Sequence, residues 1–554
     1  MSVEHYDGRP WLSLYGSGQP AEITPAFDSM LEAFIESARR APDQVLLHYF
    51  DNSMTLGEVD RASTALAGAL IARGFMPGDR LGLFLQNNPA FVIGMLASWK
   101  AGGIAVAINP MNKARELAFI LQDSGARALL CLDSLYLEVA KAAIEELGSQ
   151  VDIIVTTSML DGQSTNDTRV MEGNSRLAVE QGVVDLQAVI ASARPSTVIS
   201  PALLSADDVA MLTYTSGTTG KPKAAMNTHG NLVFNAQTYR DWVSITPDDC
   251  ILGIAPLFHV TGIVAHVALA LSTPCPLILA HRFHPEVMLE HIRRRRPTFT
   301  IGAITAFLSL MNAPGASRAD FASFRAIYSG GAPISPATSQ AFESFSGHYI
   351  HNAFGMTETC SPTHLVPFGE RAPVDPQSGA ISVGVPVFNT SVRIIDDLGC
   401  VVPVGEPGEI IDQGPQVMKG YWQQPQATSE VMQDGWLRTG DIGFMDARGW
   451  FYLVDRKKDM INVSGYKVWP REVEDVLYSH PAVLEAIVVG VSDSYRGETV
   501  KAAVSLRPGF EVTEQVLIEH CKANLAAYKY PRILEIKAEL PRSATGKLLR
   551  RALR

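Results

Sequence analysis

The stretch Leu212-Thr-Tyr-Thr-Ser-Gly-Thr-Thr-Gly-Lys-Pro-Lys223 joins an apolar strand to a loop of hydroxyls, glycines and lysines. Glycine lets backbone N–H groups converge on an anion, and the hydroxyl and ammonium groups add further donors. The stretch therefore predicts a phosphate-binding loop, and a solvated turn is the competing interpretation. It is not the Walker pattern, because only two residues separate Gly217 from Gly220 and Pro222 stands where Ser or Thr belongs. The candidate phosphate-binding residues are Thr215, Ser216, Gly217, Thr218, Thr219, Gly220, Lys221 and Lys223.

Short apolar runs, punctuated by glycine and proline, precede this loop. Residues 80–85 read as a buried strand, residues 89–101 as a helix that opens on proline, and residues 104–108 as a second strand. A strand, a helix and a strand at this spacing predict a parallel pair with a crossover. Residues 128–131 and 152–156 repeat the strand pattern, so this part of the chain is predicted to be α/β sheet.

The later part of the chain changes character. Between residues 384 and 459 many turns separate short apolar runs, which predicts a small antiparallel β unit. Beyond about Arg456, a helix that opens at Pro470 and two strand-like runs predict a small α+β domain. The predicted fold class is α/β. It comprises a large N-terminal multi-sheet α/β domain with a small β unit, residues 1–455, and a small mobile C-terminal α+β domain, residues 456–554.

Composition excludes several classes of function. The chain has 554 residues, of which 46 are Lys or Arg and 57 are Asp or Glu, and its net charge is −11. Nucleic-acid and anionic-membrane binding need clustered positive charge, so we expect neither. The start, Met1-Ser-Val-Glu-His-Tyr-Asp7, lacks the regions of a secretory signal, and no apolar run is long enough to span a bilayer. Six scattered cysteines favour a reducing compartment, and we expect a cytoplasmic protein without an integral membrane segment.

Further motifs occur in a fixed order along the chain. They are Ala255-Pro-Leu-Phe-His-Val-Thr-Gly262, Ser329-Gly-Gly-Ala-Pro333, Asn352-Ala-Phe-Gly-Met-Thr-Glu358, Trp436-Leu-Arg-Thr-Gly-Asp441, residues 456–468 and Pro541-Arg-Ser-Ala-Thr-Gly-Lys547. Together with residues 215–223, this set resembles the signature motifs of the adenylate-forming superfamily. That group holds acyl- and aryl-CoA synthetases, peptide-synthetase adenylation domains and beetle luciferases. The resemblance implies an enzyme that uses ATP and Mg²⁺ to convert a carboxylic acid into an acyl-adenylate, and then transfers the acyl group to coenzyme A.

The resemblance also implies a nucleotide site and a metal site. Glu358, with Thr218, would hold the Mg²⁺ that bridges the ATP phosphates, because a hard cation prefers carboxylate and phosphate oxygens. Thr357 would donate to the α-phosphate. Asp441 would accept from the ribose hydroxyls, and Arg456 would add a second contact. The other implied nucleotide-binding residues are Gly331, Ala332, Pro333, Asn352, Phe354, Gly355 and Met356. Phe354 stands where the family usually has Tyr, so any phenolic hydrogen bond is lost there.

Lys547 is the implied catalytic lysine. Carboxylate and α-phosphate are both anionic, and a mobile lysine that reaches the point of attack would offset their repulsion. A solvated basic tail is the competing interpretation, since arginines follow Lys547. The preceding Gly546 favours a flexible loop.

Two further steps of the cycle follow from the same resemblance. Lys458 would be the hinge between the two domains. Ser464, Gly465 and Tyr466 would bind coenzyme A beside a tunnel for its pantetheine arm.

The segments implied to line the acid pocket are residues 255–270 and 299–311, and they contain no Asp, Glu, Lys or Arg. An amino-acid substrate would bring an ammonium group that needs a buried carboxylate, so the segments favour an apolar acid. His259 would be a gate at the mouth of this pocket, although a structural histidine is the competing interpretation. The opening residues 10–15 and 20–23 resemble the leader of bacterial long-chain acyl-CoA ligases. We therefore predict a medium- or long-chain fatty acid as substrate.

Two alternatives to this reaction stay open. The first is an enzyme of the same type whose substrate is an aryl acid. The second is an enzyme that passes the acyl-adenylate to a carrier protein instead of coenzyme A. A non-catalytic nucleotide or lipid sensor would have no need of Lys547 or Glu358, and both are present. A homodimer is compatible with the predicted function.

Two other polar groups invite a functional interpretation. His281, His284 and His291 lack an established zinc spacing, so we interpret them as a polar surface around a helix start. The run 293–296 ends a predicted helix with four arginines, which suits the helix dipole. Contact with coenzyme A phosphates is the second interpretation of that run.

Overall fold

The computed structural model describes residues 2–147, 150–171, 175–178, 180–192, 201–215, 222–332, 334–456, 459–463, 466–493, 496–543 and 547–553. Within these ranges, no helix has the length and apolar character needed to cross a membrane.

In chain order, the strands are β1 (Val45–Tyr49), β2 (Asn52–Thr55), β3 (Arg80–Phe84), β4 (Ile104–Ile108), β5 (Ala128–Leu132), β6 (Ile153–Thr157), β7 (Val184–Asp185), β8 (Val209–Thr215), β9 (Lys223–Thr228), β10 (Ile251–Leu252), β11 (Leu277–Leu279), β12 (Phe299–Gly302), β13 (Ala326–Gly330), β14 (Ile350–Met356), β15 (Ser361–Leu365), β16 (Val385–Pro386), β17 (Ser391–Ile395), β18 (Gly408–Gln413), β19 (Met432–Gln433), β20 (Trp436–Met445), β21 (Phe451–Arg456), β22 (Ile461–Val463), β23 (Tyr466–Val468), β24 (Val483–Asp493), β25 (Gly497–Leu506) and β26 (Ile533–Ile536).

The α-helices, in the same order, are α1 (Ser2–Asp7), α2 (Met30–Arg40), α3 (Leu56–Ile71), α4 (Pro89–Lys100), α5 (Ala114–Ser124), α6 (Asp133–Leu135), α7 (Lys141–Leu147), α8 (Leu186–Ser192), α9 (His229–Val243), α10 (Leu269–Ser272), α11 (Pro285–Arg295), α12 (Ile304–Met311), α13 (Pro336–Ser346), α14 (Pro425–Val431), α15 (Pro470–Tyr478) and α16 (Glu514–Asn524). A π-helical segment, Gly262–Ala268, precedes α10, and a 3₁₀ turn, Thr357–Thr359, follows β14.

The first large sheet has seven strands in the order β7-β6-β5-β3-β4-β8-β9. Strands β3 and β4 pair in parallel with α4 as the crossover, which confirms the predicted strand, helix and strand. The N-terminus of α4 is capped by Asn88, whose side chain accepts the backbone N–H of Phe91. All of α4 is buried, which explains why it is apolar on every side. Strand β8 leads into the predicted phosphate loop, and β9 returns antiparallel to it.

The second large sheet has nine strands in the order β16-β15-β14-β13-β12-β10-β11-β1-β2. Its central strands β10, β12, β13 and β14 are parallel, and β15 turns back antiparallel to β14. The carboxyl ends of parallel strands meet at one edge of a sheet, where open α/β folds bind ligands. This edge therefore carries the motifs that follow β10, β12, β13 and β14.

A small antiparallel sheet follows, as the turns between residues 384 and 459 predicted. Its order is β17-β18-β20-β19, and β21 pairs with β20 on the other side. The β20–β21 register sets Asp441 opposite Arg456.

The C-terminal part forms its own sheet, in the order β23-β22-β25-β24 with β26 on β25. Helices α15 and α16 supply a separate apolar core through Val473 and Leu477 from the first and Leu517 and Cys521 from the second. This matches the predicted small α+β unit, while the exact boundary between residues 455 and 456 and the mobility of the unit stay predictions.

Candidate active site

A buried carboxylate lies at the end of β14. Glu358 sits in the 3₁₀ turn Thr357–Thr359, and its side chain is 8% exposed. Its backbone carbonyl accepts from the N–H of Met418, and the neighbouring carbonyl of Thr357 accepts from the Asn227 side chain at 3.1 Å. The turn is thus held from two sides, by the segment after β18 and by β9. Sequence patterns predicted the carboxylate but not these supports.

A tyrosine that the sequence analysis did not single out binds this carboxylate. The hydroxyl of Tyr421 donates to Glu358 Oε1 at 2.7 Å. The Nζ atom of Lys223 lies 5.0 Å from the centre of the Tyr421 ring. Lys223 is the last residue of the predicted phosphate loop and the first residue of β9. The Tyr421 side chain therefore contacts both the end of this loop and the Glu358 carboxylate.

The loop that follows β10 carries His259. The backbone N–H of Thr261 donates to His259 Nδ1 at 3.3 Å. Asn87 clamps the same loop, since its amide donates to the carbonyl of Ala255 and its Oδ1 accepts the N–H of Leu257. Burial, reinforced by the positive charge of Lys547, lowers the pKa of His259 to about 3, so the ring is neutral.

Three polar side chains of the predicted acid pocket form hydrogen bonds with backbone groups of other residues in the protein. His266 Nε2 accepts the N–H of Ala255, Thr300 donates to the carbonyl of Leu252, and Ser309 donates to the carbonyl of Thr305. Burial lowers the pKa of His266 to about 4, so this ring is also neutral. These bonds tie the two hydroxyls and His266 Nε2 to the backbone, while His266 Nδ1 is buried without a hydrogen-bond partner.

The π-helical segment Gly262–Ala268 shapes the same wall. A Cβ atom at Gly262 would lie 2.1 Å from the carbonyl oxygen of Pro256, so glycine alone fits where the loop folds onto the helix. π-Helical turns concentrate at functional sites. The sequence analysis did not predict this segment.

Lys547 of the C-terminal part lies against the turn after β13. A Cβ atom at Gly331 would be 2.8 Å from Lys547 Cε and 3.2 Å from Nζ. The charge of Lys547 also contributes, after burial, to lowering the pKa of His259. The C-terminal lysine therefore contacts the turn after β13, and its charge reaches the loop after β10.

The remaining predicted nucleotide residues lie around the same edge. Gly331 and Ala332 follow β13, while Asn352, Phe354, Gly355 and Met356 belong to β14. The amide of Asn352 donates to the carbonyl of Ser382 at 2.9 Å, and the Phe354 ring packs 5.4 Å from His364. The Asp441 side chain is buried.

Several predicted residues lie outside the described ranges. They are Ser216, Gly217, Thr218, Thr219, Gly220, Lys221, Pro333, Lys458, Ser464 and Gly465. Thr215 ends β8 and Arg456 ends β21. Tyr466, predicted to contact coenzyme A, is 60% exposed and stacks on Tyr528 with ring centres 4.8 Å apart.

The interpretation of the histidines near α11 as a polar surface was wrong for two of the three. His281 and His291 are buried, not part of a polar surface, because β1 and its following turn cover them: His281 lies by the hydroxyl of Tyr49 and His291 by the ring of Phe50. In the run 293–296, Arg293 pairs with Asp320 and donates to the carbonyl of Gly315.

The described part of the chain holds no cluster of three or more His, Cys, Asp or Glu side chains arranged to bind a metal. A cation at this site would therefore take one carboxylate, from Glu358, and oxygens of the bound nucleotide. This donor set fits Mg²⁺, which commonly combines one or two carboxylates with phosphate oxygens.

Fold and site together define an α/β protein in which a C-terminal lysine meets the carboxyl edge of a parallel sheet, the edge where open α/β folds bind ligands. The model of the AMP-binding enzyme family matches residues 34–422, and that of the AMP-binding enzyme C-terminal domain matches residues 472–547. The chain belongs to this family.

Its relatives extend the match to nearly the whole chain. It is 34% identical to a long-chain-fatty-acid–CoA ligase of Bacillus subtilis and 36% identical to one of Yersinia pestis, each over 98% of this chain and 97% of the relative. Among solved structures, the anthranilate CoA ligase AuaEII in complex with anthranoyl-AMP matches with a TM-score of 0.85 and 27% identity, over 97% of this chain and 98% of that one. The protein is thus an AMP-forming acid–thiol ligase of a family that uses ATP and coenzyme A.

Proposed function

We propose that the protein activates a medium- or long-chain fatty acid as its acyl-adenylate and transfers the acyl group to coenzyme A. The observation that supports the proposal is the contact of Lys547 with the turn at Gly331, together with the effect of its charge on the buried His259. An acid oxygen attacks the α-phosphorus there, and the bond from that phosphorus to the leaving pyrophosphate breaks. The ammonium of Lys547 offsets the charge that develops between the two anions.

Glu358 and Thr218 would hold the Mg²⁺ of the bound ATP. Tyr421 occupies Oε1 of Glu358, and Oε2 is the oxygen we assign to the cation. When bound, Mg²⁺ neutralises phosphate charge and favours departure of pyrophosphate. The phosphate loop from Thr215 to Lys223 would hold the phosphates, and Asp441 with Arg456 the ribose.

The second half-reaction needs a different arrangement of the C-terminal part. The thiol of coenzyme A attacks the acyl carbon of the adenylate, AMP leaves, and the thiol proton passes to solvent or a basic group. Ser464, Gly465 and Tyr466 are the residues we assign to coenzyme A. They and Lys547 would reach the site in turn, through rotation about Lys458.

An apolar acid is favoured because the segments predicted to line the pocket contain no Asp, Glu, Lys or Arg. The hydroxyls of Thr300 and Ser309 and the ring of His266 all bond to backbone. A buried alkyl chain gains about 0.8 kcal/mol for each CH₂. The names of the Bacillus and Yersinia relatives support a long-chain fatty acid.

An aryl acid is the second candidate substrate. The observation that favours it is the similarity to the anthranilate CoA ligase, whose bound adenylate carries an aromatic ring. A carrier protein in place of coenzyme A, a homodimer and a cytoplasmic location also stay predictions.

The deciding experiment measures pyrophosphate release with acetate, octanoate, palmitate, benzoate and an amino acid, each with and without coenzyme A. We expect octanoate or palmitate to give kcat/KM at least a hundredfold above acetate, and coenzyme A to be consumed in step with pyrophosphate. A preference for benzoate would favour the aryl acid as substrate. A preference for acetate or the amino acid, or turnover that ignores coenzyme A, would contradict the proposal.

A further inference from the structure

The carboxylate of Glu358 is held by a side chain 63 positions away in the sequence. Tyr421 donates its hydroxyl to Oε1 at 2.7 Å, and the two side chains are 7% and 8% exposed. A hydrogen bond between a neutral donor and a buried carboxylate is among the stronger ones in proteins. The pair therefore fixes which way the carboxylate faces.

Tyr421 is itself fixed by the strand that leaves the phosphate loop. The N–H of Met226 donates to the carbonyl of Gly420, and the N–H of Trp422 donates to the carbonyl of Ala224, so residues 419–422 run along β9. The N–H of Tyr421 donates to the hydroxyl of Thr428 at 2.9 Å. The backbone that carries the Tyr421 ring is therefore tied to β9 and to α14.

The hydroxyl of Tyr421 is the donor of this pair. A phenol carries one O–H, an ionised carboxylate can only accept, and the two oxygens are 2.7 Å apart. The ammonium of Lys223 lies over the ring face, an arrangement that attracts a cation to the ring. The phenol binds Oε1, so we assign Oε2 to the cation, and Mg²⁺ commonly takes one or two carboxylates in proteins.

We propose that Tyr421 is a positioning residue, which turns Glu358 toward the divalent metal of the bound ATP and couples that carboxylate to the strand leaving the phosphate loop. The proposal rests on the proposed metal-binding role of Glu358. Residues that orient a metal ligand typically change metal affinity tenfold to a hundredfold when they are lost.

The test is the affinity for Mn²⁺, measured by electron paramagnetic resonance of free Mn²⁺ in the presence of α,β-methylene-ATP, which adenylation cannot cleave. We expect Tyr421→Phe to weaken Mn²⁺ binding by about tenfold to a hundredfold. Binding of the analogue without metal should stay within about twofold of wild type. The matched control is Tyr452→Phe, which removes another buried phenol, bonded to Asp446 in the small β sheet, and should leave Mn²⁺ affinity unchanged.

A Glu358→Gln variant separates the inference from the proposal on which it rests. If Glu358→Gln retains wild-type Mn²⁺ affinity, Glu358 is not the metal ligand and both fail. If Glu358→Gln loses affinity but Tyr421→Phe does not, only the positioning role fails.

The double variant excludes a merely structural effect. If Tyr421 acts through Glu358, adding Tyr421→Phe to Glu358→Gln should change Mn²⁺ affinity by less than about twofold. Further weakening by the same factor as in the wild-type background would overturn the proposal, because the tyrosine would then act independently of the carboxylate.

Discussion

Single side chains set the charge at the reaction centre. Both pocket histidines are neutral, since burial lowers the pKa of His259 to about 3 and that of His266 to about 4. The N–H of Thr261 donates to His259 Nδ1, so the ring carries its proton on Nε2 and can donate toward the site. Lys547 is the cation whose charge acts on this neutral ring, and its side chain packs against Gly331, where a Cβ would crowd it.

Gly331→Ala tests that last contact. The added Cβ would lie 2.8 Å from Lys547 Cε, so the end of this flexible side chain must shift. A misplacement of about 1 Å costs a positioned group about a hundredfold in rate, and this smaller shift should cost up to about tenfold. We expect acyl-adenylate formation to fall by this factor, while thioester formation from supplied acyl-adenylate changes by less than about threefold. Single-turnover rates of both half-reactions provide the measurement.

The control for backbone strain is Gly379→Ala. Gly379 has φ +72° and Gly331 φ +80°, and no heavy atom lies within 4 Å of a Cβ built at Gly379. An alanine at position 379 would therefore have the same unfavourable positive φ as one at position 331, but its Cβ would contact no other atom. Equal losses in the two variants would refute the role of Gly331.

Among the elements, the regular strands are those that the sequence predicted best. Residues 104–108 were predicted as a strand and form β4, because a short apolar run between glycine and a proline-containing turn leaves few other folds. The π-helical segment Gly262–Ala268 was not predicted, because it is apolar apart from His266 and shows no helical period. The contact of Tyr421 with Glu358 was not predicted for another reason: it depends on how a small β unit lies on a large one, which no local pattern encodes.

The candidate site shows the same division. Lys547 and Glu358 were predicted through resemblance, and both lie at the strand edge. The residues that hydrogen-bond to the neighbouring loop, the 3₁₀ turn and the carboxylate were not predicted; they are Asn87, Asn227 and Tyr421. Asn87 illustrates why. An asparagine before a helix reads as part of a cap region, and only the tertiary structure shows its amide clamping the loop of Ala255 and Leu257.

Strand β18 carries an unusual buried acid. Burial, partly opposed by the hydroxyl of Thr363, raises the pKa of Asp412 to about 7, against 3.8 for an unperturbed aspartate. Between these values the unfolded chain has released the proton that the folded chain retains, so stability falls as pH rises. Above about pH 7 the free energy of unfolding has fallen by its full amount, which is at most about 4 kcal/mol.

Asp412→Asn should remove this penalty. The quantity to follow is the midpoint temperature of thermal unfolding of the variant minus that of wild type. We expect this difference to increase from pH 5 upward and to become constant above about pH 7, the raised pKa of Asp412. Differential scanning calorimetry at several pH values measures the difference. Asp43→Asn, at an exposed position, is the control and should show no such trend. A difference for Asp412→Asn that is independent of pH would contradict the raised pKa.

For the whole molecule, the separate apolar core of the C-terminal part is the fact of most consequence. Its core residues from α15, α16 and the last sheet are contributed by residues 461–534, apart from the core that joins the two large sheets. A part with its own core can move as a body. The structure has Lys547 at Gly331, the arrangement that suits adenylation, while Tyr466 remains mostly exposed. Turnover would then require the C-terminal part to rotate between half-reactions.

Lys547→Ala tests this mechanism most directly, through single-turnover rates of the two half-reactions in wild type and variant. Acyl-adenylate formation from fatty acid and ATP should fall by about a hundredfold to a thousandfold, as when one preorganised donor is removed from a transition state. Thioester formation from synthetic acyl-adenylate and coenzyme A should stay within about threefold of wild type, because its electrophile is already activated. If both rates fall together, Lys547 does not act in adenylation alone and the proposed alternation of the C-terminal part is wrong.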